Sequence, residues 1–494
     1  MVEGSVELLA KGENFSLKTL ERVNINIGPV GLAYHGILYE VRSVVKGGKT
    51  FSAVYVEGLY GTGKTLALRR AVHDILSGPG KEEYERVIPI YFYLGVMDFA
   101  LLKGFKEYVE NVKAYVEGGE EFLVKPNIVG RREDWGKRLP VLEEALKTAG
   151  EVEKRYKDEP AAREVQGFFD VLRELNRMGY YPLLIFDEFE RVIYTGDGLK
   201  SEVGRRAFAT FVSSYLELTR GHIYRGVFAI STTRPIRELV TMAVNERRPH
   251  IISIFEQLGL SLDKPWDFPM VRGHIVYDLT VPLSWTEKHL GDLAREYGLP
   301  LDQDVIRLLS IVLPIPRAIV QIDMKVRSYL GGAPQAVSLR EFYDVIKHEI
   351  AGFVERLKGE RVDGRPVVGV GARWHERFLK LLENGYFYVH YNAYDKVAEA
   401  LGIEVTDLKK AGQKVSQLMR KLSELGLYEA IGAGEYRLNP YILAYVLRID
   451  RLPDGSPANI EEVLRKVKDA VLRARIKQRE RIERRKKQAE GAQG

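Results

Sequence analysis

The stretch EGLYGTGKTLALRR, Glu57 to Arg70, decides the reading of this chain. Gly58, four intervening residues, then Gly63, Lys64 and Thr65 match the spacing of a phosphate-binding P-loop. The glycines let backbone N–H groups turn inward around phosphates. Lys64 supplies a point charge for the outer phosphates, and the Thr65 hydroxyl suits a magnesium ion. The run FSAVYVE before the loop predicts a short strand that ends at it. After the loop, Leu68, Ala71, Val72, Ile75 and Leu76 recur at helical spacing, which aims a helix N-terminus at the phosphates. The expected nucleotide contacts are Gly58, Tyr60, Gly61, Thr62, Gly63, Lys64, Thr65 and Leu66.

Composition bounds what surrounds this loop. A chain of 494 residues exceeds one compact core and predicts two to four domains. Apolar content of 45% with 29% charged residues describes a soluble globular protein. No apolar run of about 18 residues occurs, so no membrane span is expected. The N-terminus MVEGSVELLAKGENF lacks the basic-then-apolar order of a signal peptide, so the expected location is cytoplasmic, or nucleoid-associated if the protein binds DNA. The absence of cysteine excludes disulfides, thiol catalysis and cysteine zinc sites. Residues 456–494 hold twelve Lys/Arg against six Asp/Glu, an excess equal to the net charge of +6 of the whole chain. The body is therefore neutral, and RARIKQRERIERRKK reads either as an arm for phosphates or as a solvated terminal helix.

A P-loop alone does not hydrolyse; it needs a carboxylate for the metal and a group that orients water. YYPLLIFDEFERV supplies both. Leu183 to Phe186 read as a fully buried strand. Asp187 at its end suits magnesium, and Glu188 is placed to polarise water as a general base. A further strand, RGVFAISTTRP from Arg225 to Pro235, also ends in hydroxyls. Of Ser231, Thr232 and Thr233, Thr232 is the first choice and Thr233 the second for a group that senses the γ-phosphate; a Ser/Thr cap of a following helix is the alternative.

Together GLYGTGKT, LLIFDEFE and FAISTTRP resemble the AAA+ ATPase superfamily over roughly residues 25–345. The resemblance implies an α/β P-loop core, with a parallel five-stranded sheet and helices on both faces, followed by a helical lid. LSWTEKHLGDLAREYG opens the lid with an expected capping box from Ser284 to Glu287. The resemblance also implies a sensor arginine at the start of a lid helix, where Arg317 follows Pro316. It implies an arginine finger between the sensor strand and the last strand, HIVYDLTVP. Arg247, Arg248 and Arg272 fall in that window, with Arg248 carried as the site candidate.

The expected domains are a base at 1–282, a lid at 283–360, a winged-helix domain at 366–450 and a basic tail at 451–494. An insert at about 97–160 interrupts the base; KEYVENVKAYVEGG and VLEEALKTAGEVEKRY are helical in pattern, and KPNIVGRREDWGKRLP between them reads as a loop. After the lid, a helix at Trp374 to Leu382, then YDKVAEALGI, KAGQKVSQLMRKLSELGL and a hairpin around GAG follow the order of a winged helix-turn-helix. The third helix would present Lys410, Gln413, Lys414, Gln417 and Lys421 to DNA.

An AAA+ core joined to a winged helix resembles the initiator clade of origin-recognition proteins and archaeal ATPases. The long insert, the Ser-Thr-Thr sensor run and the basic tail depart from that pattern. The expectation is an ATPase that uses ATP/ADP and Mg2+, binds duplex DNA and forms a homo-oligomer on ATP binding. The alternative is a nucleotide switch of the signalling type, whose winged helix docks a protein partner.

Overall fold

The computed structural model of the chain describes residues 17–58, 61–94, 100–118, 128–189, 224–232, 275–278, 285–312, 316–317, 319–320, 337–338, 341, 377–378, 380–381, 384, 386, 388–390, 394–403, 408–424, 428–432 and 435–438. It forms two compact units, Glu3–Ser284 and Trp285–Gly494.

The first unit is built on a five-stranded sheet. Its strands are β1 (Phe51–Glu57), β2 (Val87–Tyr93), β3 (Tyr181–Asp187), β4 (Gly226–Thr232) and β5 (Ile275–Asp278). All pairings are parallel, and the spatial order is β2-β3-β4-β1-β5. The bounds of β1 coincide with FSAVYVE. Parallel strands are covered on both faces, so they read as continuous apolar runs; Ala53 to Val56 and Leu183 to Phe186 are all buried. An aromatic cluster fills one side of the sheet. Phe92 stacks on Phe186 with centroids 5.4 Å apart, and Phe168 and Phe228 meet them edge-on. Pro89 interrupts β2 without harm because β2 is an edge strand, where a missing N–H costs no ladder bond.

The helix Lys64–Ser77 leaves the end of β1 through the glycine loop and buries Leu68, Ala71, Val72, Ile75 and Leu76, the stripe expected from sequence. It packs on the helix Pro29–Val45. A polar knot joins them: Asp74 accepts from the Tyr34 hydroxyl and from Arg70 Nε, and pairs with His73 Nδ1. Arg70 also donates to the Leu20 and Val23 carbonyls, so the P-loop helix holds the segment that leads into residues 24–31.

Three helices follow β2: Leu101–Glu117, Arg132–Arg155 and Pro160–Arg177. They pack on one another, and the first also lies against β2. The loop expected at 125–140 is helical from Arg132 onward, with Pro140 inside the helix. Proline removes a helical hydrogen bond and crowds the carbonyl four residues back. Burial of Trp135 and Leu142 overrides that cost here. Arg138, within the stretch read as a loop, is buried and donates to the carbonyls of Tyr84, Val87 and Asp134. It therefore fastens this helix to the start of β2 instead of facing a ligand.

The second unit opens with the helix Glu287–Glu296, capped by Thr286 and closed by a Thr286–His289 box. The box expected from Ser284 to Glu287 lies two residues too early: Trp285 is buried as a core residue, and the chain turns into the helix only after it. The helix Gln303–Val312 packs on its predecessor. Further along come β6 (Tyr388–His390), the helices Tyr394–Ala400 and Leu408–Glu424, β7 (Tyr428–Gly432) and β8 (Glu435–Leu438). The three strands form an antiparallel sheet in the order β6-β8-β7. Val415, Leu418, Met419 and Leu422 are the buried stripe of the long helix. Among the described residues no helix is long and apolar enough to cross a membrane.

Replacement of Arg138 by Met leaves the buried carbonyls of Tyr84 and Val87 without this donor. The expected cost is about 2–4 kcal/mol, read as a lower denaturant midpoint of the first unit; an unchanged midpoint would show that the clamp is redundant.

Candidate nucleotide site

The carboxyl ends of β1, β3 and β4 converge on one point. β4 lies between the other two, so Glu57 pairs with Thr232, and Leu183 to Phe186 pair with Val227 to Ile230. The loop N–H of Gly58 donates to the Thr232 carbonyl at 3.1 Å, which ties the mouth of the loop to β4.

Two glycines of the loop have positive φ, Gly61 at 83° and Gly63 at 101°. Gly63 has a second constraint, because a Cβ there would sit 2.5 Å from Val30 Cγ2. Sequence reasoning assigned Gly63 to the phosphates; the structure adds a close approach to the helix Pro29–Val45. Lys64 is 6% exposed and its Nζ donates to the Gly58 carbonyl at 2.7 Å, so the cation closes over the loop. Thr62 is buried, while Thr65 and Leu66 are half-buried. Tyr60 lies outside the described residues.

Asp187 is the hub. Its carboxylate is fully buried and accepts from three hydroxyls: Tyr91 on Oδ2 at 2.7 Å, Thr65 on Oδ1 at 3.3 Å, and Ser231 on Oδ1. A buried carboxylate without partners would be costly, and these donors stabilise it. Burial, then the neighbouring Asp187 charge, push the Tyr91 hydroxyl well above the usual tyrosine range, so it stays protonated and donates.

Glu188 follows with φ of 60°, the sole positive value at a non-glycine among the described residues. That region costs a side chain roughly 1–2 kcal/mol, so the turn must be held. Ser231 holds it: its hydroxyl accepts from the Glu188 N–H at 3.1 Å, and its carbonyl accepts from the Phe189 N–H at 2.9 Å. The Leu94 N–H donates to the Asp187 carbonyl at 3.0 Å. The side chain of Glu188 meets the hydroxyl of Tyr93 at 3.2 Å. Asp187 and Glu188 therefore leave the strand in different directions.

The structure thus brings Gly58, Gly61, Thr62, Gly63, Lys64, Thr65, Asp187 and Glu188 to the loop end of the sheet. On β4 the hydroxyl that touches the carboxylate and the Glu188 N–H is that of Ser231; Thr232 is buried in the same strand. Thr233, Arg247, Arg248 and Arg272 lie outside the described residues. Arg317 belongs to the second unit, where it is helical and half-buried. Tyr91 and Tyr93 were not foreseen. Their signal was two tyrosines at period 2 on the strand beside the acidic one, with Tyr93 paired to Asp187 in register.

Thr65 Oγ1 and Asp187 Oδ1 are hard oxygens 3.3 Å apart. That spacing suits neighbouring ligands of one octahedral Mg2+, which takes few protein oxygens and completes its shell with phosphates and water. The donor set fits the ion.

A parallel sheet in this order, with a glycine loop after β1 and Asp-Glu after β3, defines the AAA+ type of P-loop ATPase fold. No protein-family model matches the chain, and no curated protein matches it. Among solved structures it is similar to the ORC2 protein of Aeropyrum pernix, at 12% identity over 90% of this chain and 95% of that one, TM-score 0.37. It is similar to the ORC1 protein of the same organism in complex with DNA, at 15% identity over 94% and 97%, TM-score 0.38. It is also similar to a Walker-type ATPase of Pyrococcus abyssi, at 15% identity over 83% and 95%, TM-score 0.36.

The crowding at Gly63 gives a direct test. Gly63→Ala must displace Val30 or distort a left-handed backbone, so nucleotide affinity should fall at least tenfold. A fluorescent ADP analogue bound as tightly by the variant as by the wild type would remove Gly63 from the cradle.

Proposed function

We propose that this chain binds and hydrolyses ATP, and that its nucleotide state governs assembly on duplex DNA. The observation that supports hydrolysis over binding alone is the turn at Glu188. A site that only held nucleotide would have no use for a second carboxylate in a strained conformation.

On this reading the loop N–H groups and Lys64 bind the outer phosphates. Thr65 and Asp187 hold Mg2+, which when bound neutralises phosphate charge. Glu188 orients the attacking water and accepts its proton. The Tyr93 hydroxyl, in contact with Glu188 Oε1, fixes where that carboxylate points before water arrives. Ser231 keeps the two acids apart. Thr232 of β4 and its sequence neighbour Thr233, with Arg317, are the groups proposed to report the γ-phosphate, and Arg248 is the proposed finger from a neighbouring copy. Activity would then require a homo-oligomer.

The second unit carries the proposed DNA contact. The helix Tyr394–Ala400, the helix Leu408–Glu424 and the β7–β8 hairpin follow winged-helix order. Lys410, Gln413, Lys414 and Gln417 are exposed on the long helix, opposite its buried stripe, and Lys421 is half-buried. Such side chains suit phosphates and base edges. The excess charge of residues 456–494 would add a salt-dependent term.

Glu188→Gln keeps the shape of the side chain and loses the base. It should bind ATP as the wild type does and release phosphate about 100- to 10,000-fold more slowly. Turnover at the wild-type rate would exclude Glu188 from the reaction. For the second unit, alanine at Lys410, Lys414 and Lys421 together should weaken duplex binding and flatten its dependence on salt. Unchanged duplex binding in that variant would assign this face to a protein partner.

A further inference from the structure

The metal-holding carboxylate is supported from behind by a charge that plays no part in the reading above. Arg69 lies on the P-loop helix, five residues after Lys64, and is 3% exposed. A buried guanidinium needs a counter-charge. Its side chain hydrogen-bonds the hydroxyl of Tyr91, which is itself 1% exposed. Tyr91 in turn donates to Asp187 Oδ2 at 2.7 Å. A cation, a hydroxyl and a carboxylate thus form one buried line, running from the P-loop helix through β2 to the end of β3.

The two oxygens of Asp187 are distinguished by this line. Oδ2 is held from within the sheet by Tyr91. Oδ1 faces Thr65, the other proposed metal ligand, and also takes the Ser231 hydroxyl. A carboxylate that is free to rotate would present either oxygen to the cradle. With Oδ2 engaged, Oδ1 is the oxygen that remains toward the loop.

We propose that Arg69 and Tyr91 are positioning residues for the metal site: together they hold Asp187 turned so that Oδ1 meets the ion held with Thr65. The proposal rests on the reading of Asp187 and Thr65 as the Mg2+ ligands. It adds two residues that touch neither nucleotide nor metal. Partners of this kind orient the ligands they contact, and their loss typically lowers metal affinity 10- to 100-fold.

The test is the Mg2+ dependence of nucleotide binding, read from a fluorescent ADP analogue so that turnover is not needed. Binding is measured in EDTA and then during titration with Mg2+, in the full chain. Tyr91→Phe removes one oxygen and keeps the ring. It should bind the analogue in EDTA as the wild type does, and its Mg2+ midpoint should rise about 10- to 100-fold. Arg69→Gln should move the midpoint in the same direction, and carries the test if the first variant does not fold. Tyr115→Phe is the control: it too deletes a buried hydroxyl, one on the helix Leu101–Glu117 that donates to the Gly130 carbonyl at 3.1 Å. Its midpoint should not move. A wild type with a Mg2+ midpoint that both variants leave unmoved would overturn the proposal while the metal reading stands. A shift shared by Tyr115→Phe would also overturn it, by reducing the effect to lost packing. A wild type whose binding ignores Mg2+ would overturn the metal reading, and the proposal with it.

Discussion

The fold depends on one buried negative charge. Asp187 is removed from water, and a carboxylate in that position is tolerated only with donors on every side. Those donors come from three separate elements: Tyr91 from β2, Ser231 from β4 and Thr65 from the P-loop helix. To satisfy Asp187 the chain must bring all three to the end of β3. The sheet order achieves this, because β2 and β4 flank β3 and the P-loop helix starts from the next strand over. The requirement of one side chain and the topology of the sheet are therefore the same constraint.

The consequences for function follow from where the backbone leaves its easy conformations. Gly63 and Glu188 both adopt positive φ, one in the glycine loop and one in the acidic turn. Glycine tolerates this without cost. Glu188 does not, and is kept there by the hydroxyl and carbonyl of Ser231. β4 also receives the Gly58 N–H through Thr232, so a single strand end touches the glycine loop and the acidic turn together. In the proposed reading, a change at the phosphates would reach Glu188 through that strand.

Much of this was legible in the sequence, and the rest was hidden for definable reasons. The glycine spacing and the apolar runs foretold the glycine loop, β1 and β3, since both signals are local. The helix at 132–155 was read too short because Pro140 and the basic run around it carry a local signature of a loop. The bonds of Arg138 to Tyr84 and Val87, which override that signature, come from about fifty residues away in sequence. The cap of the helix Glu287–Glu296 was misplaced by two residues because Ser284 and Thr286 are equally good caps, and only the burial of Trp285 separates them. Tyr91 and Arg69 carry no motif at all. Their role arises from contacts among β2, β3 and the P-loop helix, which one sequence does not display.

The central claim is that these groups form a hydrolytic site. The most direct measurement is phosphate release from ATP by the full-length chain, with Mg2+ and with EDTA, in the presence and absence of duplex DNA. The account predicts release that requires Mg2+ and rises with duplex at low salt. Tight ATP binding without phosphate release under any of these conditions would contradict it, and would reduce the arrangement around Asp187 and Glu188 to a nucleotide clasp.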